Sequence, residues 1–172
     1  MDREDLAGRI GAISQLRGEF VLRSGQVADT YFDKYRFEAD PELLAAIAAQ
    51  LAPLVPPDTE VVAGLELGGV PIATALSLHS GLPACFVRKE AKTYGTARLA
   101  EGADIAGRTV LVVEDIVTSG GQVVSSTTDL RDRGAIVSTA LCVIDRQQGG
   151  TTALAAAGIE LRSLFTRADV ET

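Results

Sequence analysis

Apolar runs alternate with amphipathic segments along most of the chain. The runs rich in branched residues, which we predict to be strands, lie at 59–67, 82–89, 109–116, 135–146 and 159–166. The segments with helical spacing between them lie at 68–81, 121–134 and 150–158. Strands that are apolar on both faces and alternate with helices are typical of a parallel sheet covered by helices. We therefore predict an α/β fold with a mostly parallel sheet flanked by helices.

The first part of the chain departs from this alternation. Helical spacing of apolar residues predicts a helix over 2–17, and a second helix over 40–54 begins at Asp40, an N-cap followed by proline. Between these helices, short apolar and aromatic runs surround a Ser-Gly turn, which predicts a small hood or hairpin. Since neither a linker nor an internal repeat is evident, we expect a single domain over 1–172. Residues 1–38 contribute an N-terminal helix and the hood to it.

Composition and charge narrow the class of protein. The 172 residues are 47% hydrophobic, which is enough for one globular domain with a buried core. The net charge of −7 argues against nucleic acid or an anionic membrane as the main partner, because phosphate backbones require a basic surface. Cys85 and Cys142 lie in predicted strands and form no disulfide framework. Together with the lack of a signal-peptide core and of a membrane-spanning run, this predicts a cytoplasmic protein.

The strand over 109–116 ends in two adjacent acids, Glu114 and Asp115. A stretch with two hydroxyl residues and two glycines follows, at the start of a predicted helix. Ligands of open α/β sheets bind beyond the carboxyl ends of the strands, and a glycine turn at a helix start favours an anion. Carboxylates accept hydrogen bonds from sugar hydroxyls, so the two features together suit a ribose 5-phosphate.

The segment "VLVVEDIVTSGG" resembles the phosphoribosyl pyrophosphate (PRPP) motif of phosphoribosyltransferases. The resemblance implies that Glu114 and Asp115 hold the ribose hydroxyls, and that Thr118 to Gln122 hold the 5-phosphate. The PRPP-binding residues it implies in this motif are Glu114, Asp115, Ile116, Val117, Thr118, Ser119, Gly120, Gly121 and Gln122.

A basic, glycine-bounded stretch precedes this motif, within the polar segment 90–107 that we predict to be a long mobile loop. Arg88, Lys89 and Lys92 lie close together and are followed by Tyr94. Such a cluster is commonly a solvated patch, but beside a PRPP site it would stabilise the departing pyrophosphate. Residues 88–102 resemble the catalytic loop of orotate phosphoribosyltransferases. This resemblance implies catalytic and PRPP contacts for all four residues, a catalytic role for Asp115, and a homodimer whose loops cross between subunits.

Two further segments match the same family. The stretch "DRQQGG" resembles the family's context for an arginine that pairs with the orotate carboxylate, which implies this role for Arg146, with Thr118 beside the base. The hood resembles the family's border of the base, at Arg23, Tyr31 and Phe32. The two aromatic residues fit a purely structural role in the core equally well.

The resemblance implies one reaction, the transfer of phosphoribosyl from PRPP to orotate. The glycine pair Gly68 and Gly69 would offer N–H groups to the pyrophosphate, and Mg²⁺ would bind through PRPP without direct protein ligands. Tyr94 stands where many members have histidine, so proton donation there would differ. Three alternatives stay open: a phosphoribosyltransferase for another base, a non-catalytic PRPP-binding regulator that binds nucleic acid, and a nucleotide-binding domain of another role.

Overall fold

The computed structural model describes residues 1–21, 25–90 and 99–171. In chain order the helices and strands are α1 (Arg3–Ser14), β1 (Gln15–Val21), β2 (Val27–Phe32), α2 (Tyr35–Glu38), α3 (Pro41–Leu51), a 3-10 helix (Ala52–Leu54), β3 (Val61–Leu65), α4 (Gly69–Ser80), β4 (Ala84–Val87), β5 (Ala100–Gly102), β6 (Val110–Val117), α5 (Gly121–Asp132), β7 (Thr139–Asp145), α6 (Gly150–Ala156), β8 (Glu160–Thr166) and α7 (Arg167–Val170). None of the helices in the described ranges is long and apolar enough to span a membrane.

Six strands form the central sheet, in the order β5-β4-β3-β6-β7-β8. All neighbouring pairs are parallel except β4 and β5, which are antiparallel. Strands β3, β6 and β7 are buried along nearly their whole length, because helices pack on both faces of the sheet. The predicted α/β fold with a mostly parallel sheet flanked by helices is confirmed.

Two apolar clusters hold the helices against the two faces. On one face, residues of α1, α3 and α4, such as Ile10, Ile47 and Leu76, pack against Val113 and other sheet residues. On the other face, residues of α5 and α6 pack against the opposite side of the same strands. Cys85 and Cys142 are buried free thiols, and burial raises the pKa of Cys85 to about 12.

The predicted helix over 2–17 is too long at its end. Helix α1 stops at Ser14, and Gln15 already has extended backbone angles. From there the chain pairs antiparallel with β2, as in the register of Leu16 with Tyr31, so inter-strand hydrogen bonds replace the helical ones. This hairpin is the predicted hood, and it lies outside the central sheet.

Three other differences follow from contacts that are distant in sequence. The predicted loop 90–107 contains β5, which forms because its residues pair with the edge of β4. The predicted strand over 135–146 becomes regular only at Thr139, where pairing with β8 begins. The short helices α2 and α7 were not predicted.

Candidate active site

The site lies at the carboxyl edge of the sheet, where the connections of β3 and β6 diverge. Strand β3 pairs with both β4 and β6, and the chain leaves it toward β4 on one side. It returns to β6 on the other side. Ligands of open α/β sheets bind at such a switch point. The residues that the fold brings to it are Gly68, after β3, and Glu114 and Asp115, near the end of β6.

Asp115 is enclosed by side chains from α2 and its N-cap. Its carboxylate is fully buried, and its Oδ2 lies 2.6 Å from Nζ of Lys34. Its Oδ1 accepts a hydrogen bond from the N–H of Ile116, while Oε1 of Glu114 accepts one from the N–H of Asp115. The carboxyl of Glu38 is also buried and approaches Asp115. One lysine and three carboxyl groups therefore share the acidic end of β6.

Burial and mutual repulsion set the charges of this cluster. Burial, together with hydrogen bonding to Asp115, raises the pKa of Glu38 to about 9, and burial with the charge of Asp115 raises the pKa of Glu114 to about 9. Burial also opposes ionisation of Asp115, but hydrogen bonding from Glu38 and the charge of Lys34 outweigh it and lower its pKa. At neutral pH the cluster thus holds one ionised pair, Lys34 with Asp115, and two protonated glutamates.

The raised pKa of Glu38 makes folding stability depend on pH. An unperturbed glutamate titrates at 4.5, so between this pH and about 9 the unfolded chain binds fewer protons here than the folded protein. The stability present below 4.5 is therefore lost as the pH rises toward 9. Glutamine does not titrate, and we expect Glu38→Gln to match the wild type near pH 5. Near pH 8 the variant should be more stable by about 1 to 2 kcal/mol, a value reduced for solvent screening.

Thermal unfolding at the two pH values measures this difference. Glu19→Gln, an exposed position on β1, is the matched control. A Glu38→Gln variant that is destabilised equally at both pH values would contradict the assigned protonation.

The glycines after β3 allow close packing against β6. A Cβ atom at Gly68 would lie 1.6 Å from Oδ2 of Asp115, and one at Gly69 would lie 2.3 Å from the carbonyl oxygen of Val113. The peptide bond between Glu66 and Leu67 is cis. Only residues without a Cβ fit between this loop and the acidic strand end. Gly68 and Gly69, to which the resemblance assigns the pyrophosphate, therefore lie beside Asp115.

The start of α5 is a glycine turn that leads into a helix N-terminus. Gly120 is the N-cap with φ of 78°, and a Cβ there would collide with Leu154 of α6, so glycine is required on both counts. Thr118, Ser119 and Gln122 are exposed in front of the helix N-terminus. Val117, by contrast, has its side chain buried in the core, and the side chain of Ile116 packs against the core as well. The carbonyl oxygen of Val117 accepts a hydrogen bond from the N–H of Arg146, so neither that oxygen nor the Val117 side chain is free for a ligand.

A pocket of about 370 Å³ adjoins this corner and collects residues of the hood and of β7. Its lining residues are Gln15, Ala28, Thr30, Tyr31, Phe32, Arg146, Arg167 and Glu171. The backbone N–H of Arg146 donates to the carbonyl oxygen of Val117 at 2.9 Å. This bond joins the residue after β7 to the end of β6, so the pocket lies next to the acidic end, one strand along the sheet. The guanidinium of Arg146 lies 5.7 Å from the ring centre of Phe32. Tyr31 is 46% exposed, so it borders the pocket and is not a core residue.

The basic residues after β4 lie beside the β3–α4 loop. The N–H of Lys89 donates to Oε2 of Glu66 at 3.0 Å, and the N–H of Arg88 donates to the carbonyl oxygen of Leu99. Both residues therefore stand at the carboxyl edge, next to the glycine pair. The predicted residues Lys92, Tyr94 and Arg23 lie outside the described residues.

Comparison with known proteins identifies the family. The phosphoribosyl transferase domain family matches residues 36–154. A curated orotate phosphoribosyltransferase from Nocardioides is 51% identical over 166 residues, which cover 96% of this chain and 93% of that protein. The chain belongs to the orotate phosphoribosyltransferase family. Another such enzyme, from Halobacterium salinarum, is 45% identical over 97% of this chain and 95% of its own.

Solved structures of family members agree over the whole chain. Mycobacterium tuberculosis orotate phosphoribosyltransferase in complex with Fe(III) dicitrate superimposes with a TM-score of 0.89 at 35% identity, covering 100% of both chains. The same enzyme in complex with PRPP gives a TM-score of 0.87 at 32% identity, again over 100% of both chains. The fold that positions the acidic end and the adjoining pocket is therefore the fold of this family.

Sequence reasoning missed four residues of the orotate phosphoribosyltransferase site. Lys34 and Glu38 reach Asp115 from the segment after the hood, and Arg167 and Glu171 line the pocket from α7 and the residue after it. The PRPP motif contains none of them. One signal was available for α7: Thr166 is followed three residues later by Asp169, the spacing of a capping box, which marks a helix start.

Proposed function

We propose that this protein transfers the phosphoribosyl group of PRPP to orotate and releases pyrophosphate and orotidine 5′-monophosphate, a step in the synthesis of UMP. One observation carries the proposal. The acidic strand end and the glycine-rich start of α5 adjoin a pocket with an arginine over an aromatic ring, one strand away. A sugar phosphate and a planar carboxylate can therefore meet at this edge. The family relatives that bear this activity in their names, and the PRPP complex of one of them, support the proposal.

The chemistry follows from the charges at the two ends of the sugar. As the bond from C1 to pyrophosphate lengthens, the ribose becomes positively charged, and the carboxylate of Asp115 favours that charge, while the protonated Glu114 holds a ribose hydroxyl. Arg88, Lys89 and Lys92 favour the departing pyrophosphate. The ring nitrogen of orotate then bonds to C1 and loses its proton, which the departing pyrophosphate accepts, while Arg146 holds the carboxylate. Catalysis on this scheme consists of positioning and fixed charge, without a covalent enzyme intermediate.

Mg²⁺ is the cofactor in this proposal. The ion prefers oxygen ligands and usually binds nucleotide-like substrates through their phosphates. The oxygens of Glu114 and Asp115 suit the hydroxyls of a ribose that carries such an ion. When bound, the ion would neutralise part of the negative charge on the pyrophosphate.

The assembly and location complete the proposal. We infer a homodimer in which the loop that contains Lys92 and Tyr94 reaches the partner's site, acting in the cytoplasm on PRPP and orotate. Support comes from the match of residues 88–102 to the catalytic loop of the family. Tyr94 would hydrogen-bond to the pyrophosphate, and proton donation there would differ from that of the histidine found in many members.

A panel of bases tests the proposed function. Purified protein with PRPP and Mg²⁺ should consume orotate, seen as the loss of its ultraviolet absorbance, and should leave uracil, adenine and hypoxanthine unchanged. Turnover of a purine but not of orotate would assign the protein to a different base. Absence of turnover with every base, together with binding of a DNA duplex at low salt, would support a regulator.

Replacing Lys92 with alanine should lower the turnover number by at least about 100-fold, because a cation on the departing pyrophosphate is lost. The melting temperature should change little. Arg108→Ala, which removes an exposed cation from the turn before β6, is the control and should keep full turnover. Lys92→Ala with wild-type turnover would remove the loop from the mechanism.

A further inference from the structure

The pocket next to Arg146 already holds a carboxylate of the protein itself. Oε1 of Glu171 lies 2.6 Å from a terminal nitrogen of Arg146, and its Oε2 lies 2.5 Å from Nε of Arg167. Each oxygen of one carboxylate thus meets a different guanidinium. Arg146 comes from the end of β7 and Arg167 from α7, so two separate elements converge on this group.

The position of Glu171 is set by an anchored segment. At the start of α7, the N–H and the hydroxyl of Thr166 both donate to Oδ2 of Asp169. The side chain of Val170 is buried in the core, and the N–H of Glu171 donates to the carbonyl oxygen of Arg167 at 3.0 Å. The Glu171 side chain is only 17% exposed. The backbone that carries this carboxylate is therefore anchored by the capped start of α7 and by the buried Val170.

The same arrangement is what a flat, carboxylated base requires. Arginine binds a carboxylate through a planar fork of donors, and two arginines can take one oxygen each. Phe32 lines the same pocket, and its ring centre lies 5.7 Å from the guanidinium of Arg146, so a base held by Arg146 would lie near an aromatic side chain. A carboxylate of the substrate and the carboxylate of Glu171 cannot occupy the two arginines together.

We propose that Arg167 binds the substrate carboxylate together with Arg146, and that Glu171 occupies their shared site until the substrate displaces it. The inference deepens the proposed function and rests on it. It assigns Arg167 as a second specificity-determining cation for the carboxylated base. It assigns Glu171 as an internal competitor, whose carboxylate pairs with both guanidiniums in the free enzyme.

An internal competitor reduces the apparent affinity for the substrate. The apparent association constant equals the intrinsic one multiplied by the fraction of molecules in which the competitor leaves the site free. Glutamine keeps the size of Glu171 and removes its charge. We therefore expect Glu171→Gln to lower the KM for orotate by about three- to tenfold and to leave the KM for PRPP unchanged. The matched control is Glu160→Gln, which changes a glutamate in an exposed pair with Arg162 and should alter neither constant.

The role of Arg167 is tested in the Glu171→Gln background, where the competitor is absent. Arg167→Ala should then raise the KM for orotate by about tenfold, with the KM for PRPP unchanged, since a charge-assisted hydrogen bond is lost. Arg167→Lys should recover part of that loss. Arg133→Ala removes a surface arginine at the end of α5 and should leave both constants unchanged.

The outcomes separate this inference from the proposed function. An unchanged or higher KM for orotate in Glu171→Gln, accompanied by a lower melting temperature, would make Glu171 a structural residue and overturn the inference alone. Wild-type orotate KM in the Arg167→Ala double variant would remove Arg167 from recognition. Failure of the wild-type protein to turn over orotate would overturn the proposed function, and the inference with it.

Discussion

Gly68→Ala is expected to lower kcat/KM for PRPP by at least about 100-fold, because the added methyl group displaces a preorganised carboxylate. Its Cβ atom would lie 1.6 Å from Oδ2 of Asp115 and 3.0 Å from Oε1 of Glu38. Asp115 cannot move away freely, since it is fully buried and paired with Lys34. Either the loop after β3 or the acidic strand end must shift, and both belong to the proposed PRPP site.

Steady-state kinetics at saturating orotate measures this effect, together with the melting temperature. Gly8→Ala is the matched control, because a Cβ at that position meets no atom within 4 Å and alanine favours the interior of α1. The control should keep wild-type kinetics and equal or greater stability. If Gly68→Ala retains kcat/KM within a factor of about three, the close packing of Gly68 on Asp115 has no catalytic importance.

Lys34→Met should destabilise the protein by about 2 to 4 kcal/mol at pH 7, because it leaves the buried Asp115 without its cation. The value lies below that for a fully enclosed pair, since the Lys34 side chain is 33% exposed. Methionine preserves most of the side-chain volume, so the loss reports the charge and not a cavity. Chemical denaturation with urea measures the change in the free energy of unfolding.

The pH dependence distinguishes this mechanism from a packing defect. The lowered pKa of Asp115 contributes stability that is present above its ordinary value of 3.8 and is lost as the pH falls through the folded value. The difference in the free energy of unfolding between the wild type and Lys34→Met should therefore become smaller in acid. Arg9→Met removes the cation of an exposed pair with Glu42. It should lower the free energy of unfolding by less than Lys34→Met does at every pH. A gap that is equal at pH 7 and in acid would contradict the role of Lys34.

Local patterns predicted the parts of the site that lie on one strand and the turn after it. The apolar run of β6 requires burial, its two acids mark the carboxyl edge, and the double glycine marks the start of α5. Gly68 and Gly69 were assigned by the family resemblance instead, and the structure adds a packing reason for glycine there, the approach of Asp115. The features of β6 and α5 depend on residues that are close in sequence, so the sequence alone was sufficient.

The missed residues depend on contacts between distant segments. Nothing near Lys34 in the sequence indicates a buried carboxylate, since its partner Asp115 comes from the middle of the sheet. Glu171 likewise meets Arg146 only because α7 folds back over the pocket. The end of α1 was misplaced for a similar reason, because the apolar spacing continues into Leu16 although that residue pairs with Tyr31. Tertiary pairing overrides local periodicity at such positions.

In the structure, the acidic half and the basic half of the site each form an ion pair with another side chain of the protein. Lys34 covers the carboxylate proposed for the ribose, and Glu171 covers the arginine proposed for orotate. On the proposed scheme the uncharged ribose hydroxyls add hydrogen bonds to Asp115 without replacing Lys34, whereas the orotate carboxylate exchanges the Glu171–Arg146 ion pair for its own. Such exchange excludes neutral analogues, because they cannot replace the charge they displace.

Titration calorimetry with PRPP and Mg²⁺ tests the central claim most directly, namely that the acidic end of β6 and the start of α5 bind the phosphoribosyl donor. We expect one binding site per chain for the wild-type protein, and at least about tenfold weaker binding for Gly68→Ala under the same conditions. Absence of PRPP binding by the folded wild-type protein, or equal binding by both proteins, would contradict the account.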